Sequence, residues 1–170
     1  MRLRSEGGFG LVELLISMLM LNIGLLAVVA AFSSGIVSLN RASRITTAAV
    51  LADQQMELYR ALTYASIRLD TTAVGGVDNT YKCDSTLGAS CPNSTSALIT
   101  ATCSGPPDEC NPSRIATGAD RKSYRVDTYV VSTTPTGGRP VKKVTIVVRD
   151  ATNLAVTFVR QASTFDQSTG

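Results

Sequence analysis

From Phe9 to Val37 the sequence is almost uninterruptedly apolar. A run of that length can cross a bilayer as a helix, which takes about 20 residues. The pattern then changes. From Ser38 to Ser66 there is neither proline nor glycine, and Ile45, Ala48, Ala52, Met56, Tyr59 and Leu62 recur at steps of three or four, with Leu51 and Leu58 beside them. Arg41, Arg44, Asp53, Glu57 and Arg60 fall mostly on other faces. This predicts an amphipathic continuation of the same helix, with a stripe to be buried under a sheet. One helix from about Phe9 to Ser66 would be on the order of 85 Å long. Gly24 and Gly35 are the points where it would bend or locally melt. Ser17, Gly24, Ala27, Ala30, Ala31 and Ser34 are small enough to let neighbouring helices approach closely.

Beyond the helix the pattern is of turns and then strands. Between Leu69 and Lys122, turn signals stand at Gly75-Gly76, Asp78-Asn79, Pro92-Asn93, Gly105-Pro106-Pro107 and Asn111-Pro112. One short strand, 97–102, is predicted inside this stretch, which otherwise reads as an exposed face for partner contacts. Period-two alternation then predicts strands over 123–131, 141–149 and 154–160, joined by short turns. Short connections favour an antiparallel meander with one face free to cover the helix stripe. Residues 164–170 read as a frayed tail. The fold class is α+β: a long N-terminal helix on a small antiparallel sheet, with its loops tied by disulfides.

The ties come from Cys83, Cys91, Cys103 and Cys110, all of the cysteines and all after the helix. An even number in an exported region reads as a disulfide framework with three possible pairings. The spacing favours two local loops, Cys83–Cys91 and Cys103–Cys110, each contributing about 2–3 kcal/mol in the chain-entropy model. A four-thiolate zinc site is the rival, but no Cys-x-x-Cys pair is present. Composition narrows the chemistry further. The 170 residues contain no histidine, which excludes a Ser-His-Asp triad and most zinc chemistry. Asp78-Asn79 and Asp108-Glu109 lack calcium-loop spacing, and Gly75-Gly76 and Gly137-Gly138 sit in turns rather than before helices. No enzyme, cofactor, metal or small-molecule substrate is expected. The net charge of +3 is dispersed. Its one small cluster, Arg139, Lys142 and Lys143, reads as a solvated strand end rather than a nucleic-acid contact.

What remains is the chemistry at the amino terminus. Arg2 and Arg4 precede the apolar run, which places that flank on the cytoplasmic side and the rest of the chain outside. Gly7-Gly8 starts a helix poorly but suits an extended protease substrate. Glu13 puts a carboxylate near the start of the apolar run, where a charge costs about 2.5–3.5 kcal/mol on insertion scales and is a functional hypothesis by default. A cut before Phe9 would create an α-amine, with a pKa near 8 and therefore cationic at neutral pH. Amine and carboxylate would then pair in a low-dielectric layer, as a register device more than a net stabiliser. Pairing within one chain and between chains are both open. A Glu13 that merely snorkels to the headgroups is the bland alternative.

The sequence Gly8-Phe9-x-Leu11-x-Glu13 followed by a hydrophobic run resembles the type IV prepilin leader. The resemblance implies cleavage after Gly8 by a prepilin peptidase, N-methylation of Phe9, and pairing of Glu13 with the terminal amine of a neighbouring subunit. Residues 19–27 are similar to the pilus-modification (PilV-type) minor pilins. This implies the type IV pilin fold and four segments: leader 1–8, membrane and assembly half-helix 9–37, amphipathic half-helix 38–66 and globular head 67–170. It also implies a single pass in the inner membrane, amino terminus inside, before assembly with other pilin subunits into a filament. A type II secretion pseudopilin shares the same leader. Two further readings stay open: a soluble secreted domain cut after Ala31, and a permanently anchored membrane protein.

Overall fold

The computed structural model describes residues 10–74, 98–103, 110–135 and 137–168. Helix α1 runs over Leu11–Arg60, continuous through Gly24 and Gly35. The chain divides into two compact units, Met1–Ala42 and Ser43–Gly170. Helix α1 stops at Arg60 rather than at the expected Ser66. Ala61 still donates to the Glu57 carbonyl at 3.1 Å, but Leu62 reaches only Tyr59, and a 3₁₀ turn follows at Tyr64–Ser66. The reason lies downstream. Ile67 and Leu69 are fully buried, and a helix continued past Arg60 would carry them along its axis instead of back into the core.

The second unit is built on a four-stranded antiparallel sheet in the order β3-β4-β5-β6: Ser113–Thr117, Ser123–Thr133, Val141–Asp150 and Thr157–Phe165. The expected meander is present, and with the helix it makes the chain α+β. Three details differ from expectation. Strand β3 lies in the stretch read as loop, because its alternation is nearly all polar and its one large apolar residue, Ile115, faces out at 62% exposure. Strand β6 starts at Thr157, leaving Leu154 and Val156 in an exposed turn, and it continues through Thr164 and Phe165, which pair with Lys143 and Lys142 and so are no frayed tail. The short strand expected over 97–102 is reduced to β2, Thr100–Ala101, and it pairs parallel with β1, Leu69–Asp70, not with the meander. Leu98 and Ile99 instead extend the outer edge of β4, where Ile99 donates to Val130 at 2.8 Å. A disulfide joins Cys103 and Cys110. It closes the segment between β2 and the Cys110 carbonyl, which accepts from the Asp70 amide at 2.8 Å. Cys83, Cys91 and the turns expected between residues 75 and 97 lie outside the described residues.

The helix stripe meets one face of the sheet. Ala48, Leu51, Ala52, Gln55, Met56 and Tyr59 are buried, whereas Ile45 and Leu58, expected inside, are 41% and 38% exposed. Period-two alternation puts Tyr124, Val126, Thr128 and Val130 of β4 beside Val144, Ile146 and Val148 of β5 on that face, all of them buried. The opposite face of β4 and β5 is buried as well, at Tyr129, Val131 and Val147. It holds a charge cluster: Asp127 accepts from Arg125 Nε at 2.8 Å and pairs with Arg149 Nε at 3.5 Å.

Three polar ties fix the helix to the sheet. At the Ser43 end, Arg44 donates to Asp150 at 3.1 Å and stacks over Phe158, 5.4 Å from its ring centre. Phe158 is the extra residue of a β-bulge between β5 and β6, and it meets Tyr124 edge-on at 5.6 Å. In the middle, Arg114 donates to the buried Gln55 at 2.9 Å. At the far end, Lys142 donates to the carbonyls of Tyr64 and Ile67 at 2.7 and 2.9 Å and lies over the Tyr64 ring. Those carbonyls belong to the turn that replaces the last helical residues, so Lys142 acts as its cap.

Hydrogen bonds from Thr152, joined by the Asn153 amide and the charge of Arg44, outweigh desolvation and hold the Asp150 carboxyl down from 3.8 to about 2. A depressed carboxyl contributes stability that is complete above its unfolded value and is lost as pH falls through its folded value. The head is therefore expected to weaken between pH 4 and pH 2. In Asp150→Asn that acid limb becomes shallower, as read from urea midpoints at stepped pH in detergent. The Tyr124 hydroxyl, which donates to Asp120 at 2.6 Å, is pushed up to about 12 by burial and by that carboxylate.

The β3–β4 turn carries the one non-glycine residue with positive φ among the described residues, Arg121 at 59°. The turn is closed by the Gly118 amide donating to Lys122 at 2.9 Å and the Arg121 amide donating to Gly118 at 2.9 Å. Gly118 is buried there, and the site takes glycine because a Cβ would run into Thr47, Asp120 and Tyr124. The left-handed region costs a side chain about 1–2 kcal/mol, part of which glycine returns as chain entropy. Arg121→Gly is expected to raise head stability by about 0.5–1 kcal/mol in urea unfolding.

Candidate functional site

From Leu11 onward the first unit is helix with apolar side chains exposed on every side. Leu11, Leu15, Leu21, Leu26, Phe32 and Leu39 are all more than half exposed. The stretch is long and apolar enough to cross a membrane. Three of its polar side chains bond back within the helix. Ser17 donates to the Glu13 carbonyl at 2.7 Å, Asn22 to Met18 at 3.0 Å and Ser33 to Val29 at 3.0 Å. Back-bonding of this kind lets a hydroxyl or amide sit in an apolar layer without an outside partner.

Glu13 differs. It is the acid of the first helical turn, where the amide dipoles favour negative charge. Its carboxylate can only accept, and no cation pairs with it among the described residues. At 100° per residue, Ser17, Gly24, Ala27, Ala31, Gly35 and Ser38 all fall within about 40° of Glu13 around the helix, with Met20 the one large side chain among them. Ala30 lies off this stripe, and Ser34 lies at its margin. The carboxylate therefore heads a narrow face that, past Met20, is made of small residues on which a second helix backbone can approach closely. At the edge of this face, Gly35 leaves an apolar notch beside Ala31, between Val28, Phe32, Ile36 and Leu39.

Gly8 and Phe9, on which the cleavage reading rests, lie outside the described residues. Of the sequence-derived sites, Glu13 stands alone in the first unit, and Cys103 and Cys110 are bonded in the second. The cluster expected at Arg139, Lys142 and Lys143 is not one solvated patch. Lys142 is buried as the cap described above, with burial pulling its pKa down, and Arg139 lies 3.6 Å from Asp166. Sequence reading also missed the Arg44–Asp150 tie. Half of it was accessible, because Asp150-Ala151-Thr152 has the form of a side-chain-capped turn. Its partner, 106 residues earlier, carries no local signal. No group of three His, Cys, Asp or Glu side chains that could hold a metal is present among the described residues.

Comparison with family models, with curated proteins and with solved structures finds no match to this chain.

Proposed function

We propose that this chain is a minor type IV pilin or pseudopilin, a non-enzymatic subunit that works by assembling. The observation that carries this is Glu13, an acceptor with no cationic partner among the described residues, in the first turn of an apolar helix, heading a largely small-residue face. Directly before it stands the Gly8-Phe9 sequence that resembles a prepilin cleavage site. The α+β head with an antiparallel sheet is consistent with the pilin fold. In this reading a prepilin peptidase cuts before Phe9 and methylates the new amine. The subunit waits in the inner membrane with its head outside, then moves from lipid into a filament core lined by similar helices. Burial of apolar surface changes little in that transfer, so the Glu13–amine pair supplies register rather than bulk affinity.

The test is the amino terminus of the protein recovered from membranes of cells with an active prepilin peptidase. N-methylated Phe9 is expected. A terminus at Phe32 would instead mark a secreted domain, and retention of Met1 a static anchor; either result removes the proposal.

A further inference from the structure

Two turns meet at the end of the second unit where the chain enters it. The β3–β4 turn packs on Thr47 through Gly118. The β5–β6 turn begins beside it, since Asp150 is the register partner of Tyr124 and Ala151 donates to Ser123 at 3.4 Å. Arg44 holds the second turn through Asp150. The helical entry, Ser43 to Thr47, therefore touches both turns.

What these turns show to solvent is unusual for a loop cluster. The β5–β6 turn exposes Leu154 and Val156, each 40% exposed, with Ala155 between them. The β3–β4 turn exposes Ala119, Arg121 and Lys122. Neither cation has an ion-pair partner among the described residues. The nearby acids are engaged: Asp120 accepts from the Tyr124 hydroxyl and the Lys122 amide, and Asp150 from Arg44 and Thr152. Arg121 is also held at positive φ, a cost that glycine or asparagine would avoid. Apolar side chains beside uncompensated cations are the composition of a surface that enters a headgroup layer and meets its phosphates. Chain length favours a membrane over other phosphate carriers. Thr47 follows Val37, the last residue of the apolar run, by ten residues, so Thr47, against which the β3–β4 turn packs, cannot lie farther than about 35 Å of extended chain from it.

We infer that this end of the head docks on an anionic phospholipid surface, with Leu154 and Val156 entering the headgroup layer and Arg121 and Lys122 on lipid phosphates. The inference rests on the membrane-held state proposed above. It gives that state a second anchorage, released when the subunit leaves the bilayer.

The chain has no tryptophan, so single reporters can be introduced. The full chain carrying Ala119→Trp is reconstituted into phosphatidylcholine vesicles with or without phosphatidylglycerol, each containing headgroup-labelled quencher lipid. Quenching is expected in the anionic vesicles, falling with added salt. Arg121→Gln/Lys122→Gln should shift the docked-to-free ratio by roughly 25-fold, about fivefold per cation. A parallel Leu26→Trp reporter, read with acyl-chain quenchers, separates the two readings. If Leu26→Trp is unquenched, the membrane state and this inference fail together. If it is quenched while Ala119→Trp is not, or if Ala119→Trp responds equally with and without anionic lipid or the two cations, this inference alone fails. A response of Ala119→Trp to a DNA duplex but not to anionic vesicles would assign the cations to nucleic acid and overturn it too.

Discussion

Glu13→Val is expected to leave the chain in the membrane and to remove it from filaments. Insertion should be no worse, because the change deletes a charge that costs about 2.5–3.5 kcal/mol at membrane depth. Assembly should suffer, because the terminal amine of a neighbour would enter the filament core without its carboxylate. Breaking one side of a buried ion pair costs about 3–5 kcal/mol, so incorporation should fall on the order of a hundredfold or more. The measurement compares the subunit in sheared filaments with the subunit left in membranes. Gly8→Ala should give the same loss by another route. It leaves residues 1–8 attached, visible as a slower band, and the amine is never made. The two changes act on one pair and should not add, so Glu13→Val in the Gly8→Ala background should cost nothing further. Filament recovery of Glu13→Val at the normal level would remove the ion-pair role. Additive losses would mean that the two residues act separately.

How much of this was readable beforehand follows from the range of each interaction. The helix and the three long strands are set by local periodicity and the antiparallel order by short connections, and they emerged from these. Where sequence and structure part, the cause is tertiary. Gln55 is buried because Arg114 reaches it from β3. Leu58 is apolar yet exposed because it lies about 120° round the helix from the buried Ala52, and Ile45, though on the stripe, lies two residues past Ser43, where the second unit begins. Lys142 reads as a surface lysine until the chain that ends α1 folds back beneath it and offers two carbonyls. The parallel β1–β2 pair was invisible because two-residue strands have no periodicity. The amino-terminal half of α1 shows the opposite case. Glu13, Ser17, Gly24, Ala27 and Ala31 are local features of one helix, so sequence alone placed them, and the structure adds only that they share a face.

Met56→Ala is expected to cost the head about 2–5 kcal/mol, the range for truncating a buried methionine. A domain of this size has about 5–15 kcal/mol in total, so the loss takes a large share. Met56 has no exposed surface and sits one turn from both Ala52 and Tyr59, which are fully buried too. The residues around it set how much of the cavity can close. Ala48 and Ala52 are already minimal, and β4 and β5 are fixed by hydrogen bonds on both sides, so little can move inward. The cost should therefore fall in the upper half of the range. Met56→Leu keeps the volume and should cost less than about 1.5 kcal/mol. Ile115→Ala, at an exposed site on β3, should stay within about 0.5 kcal/mol. Near-ultraviolet circular dichroism during urea titration in detergent reads this core directly, since Tyr59, Tyr124 and Tyr129 are buried in it and tryptophan is absent. Equal losses for Met56→Ala and Ile115→Ala would mean that the stripe does not carry the head. A large loss confined to Met56→Ala, with filament incorporation lost only as far as the head unfolds, would separate the helix's two duties along one element: packing the head after Ser43, and assembly before it.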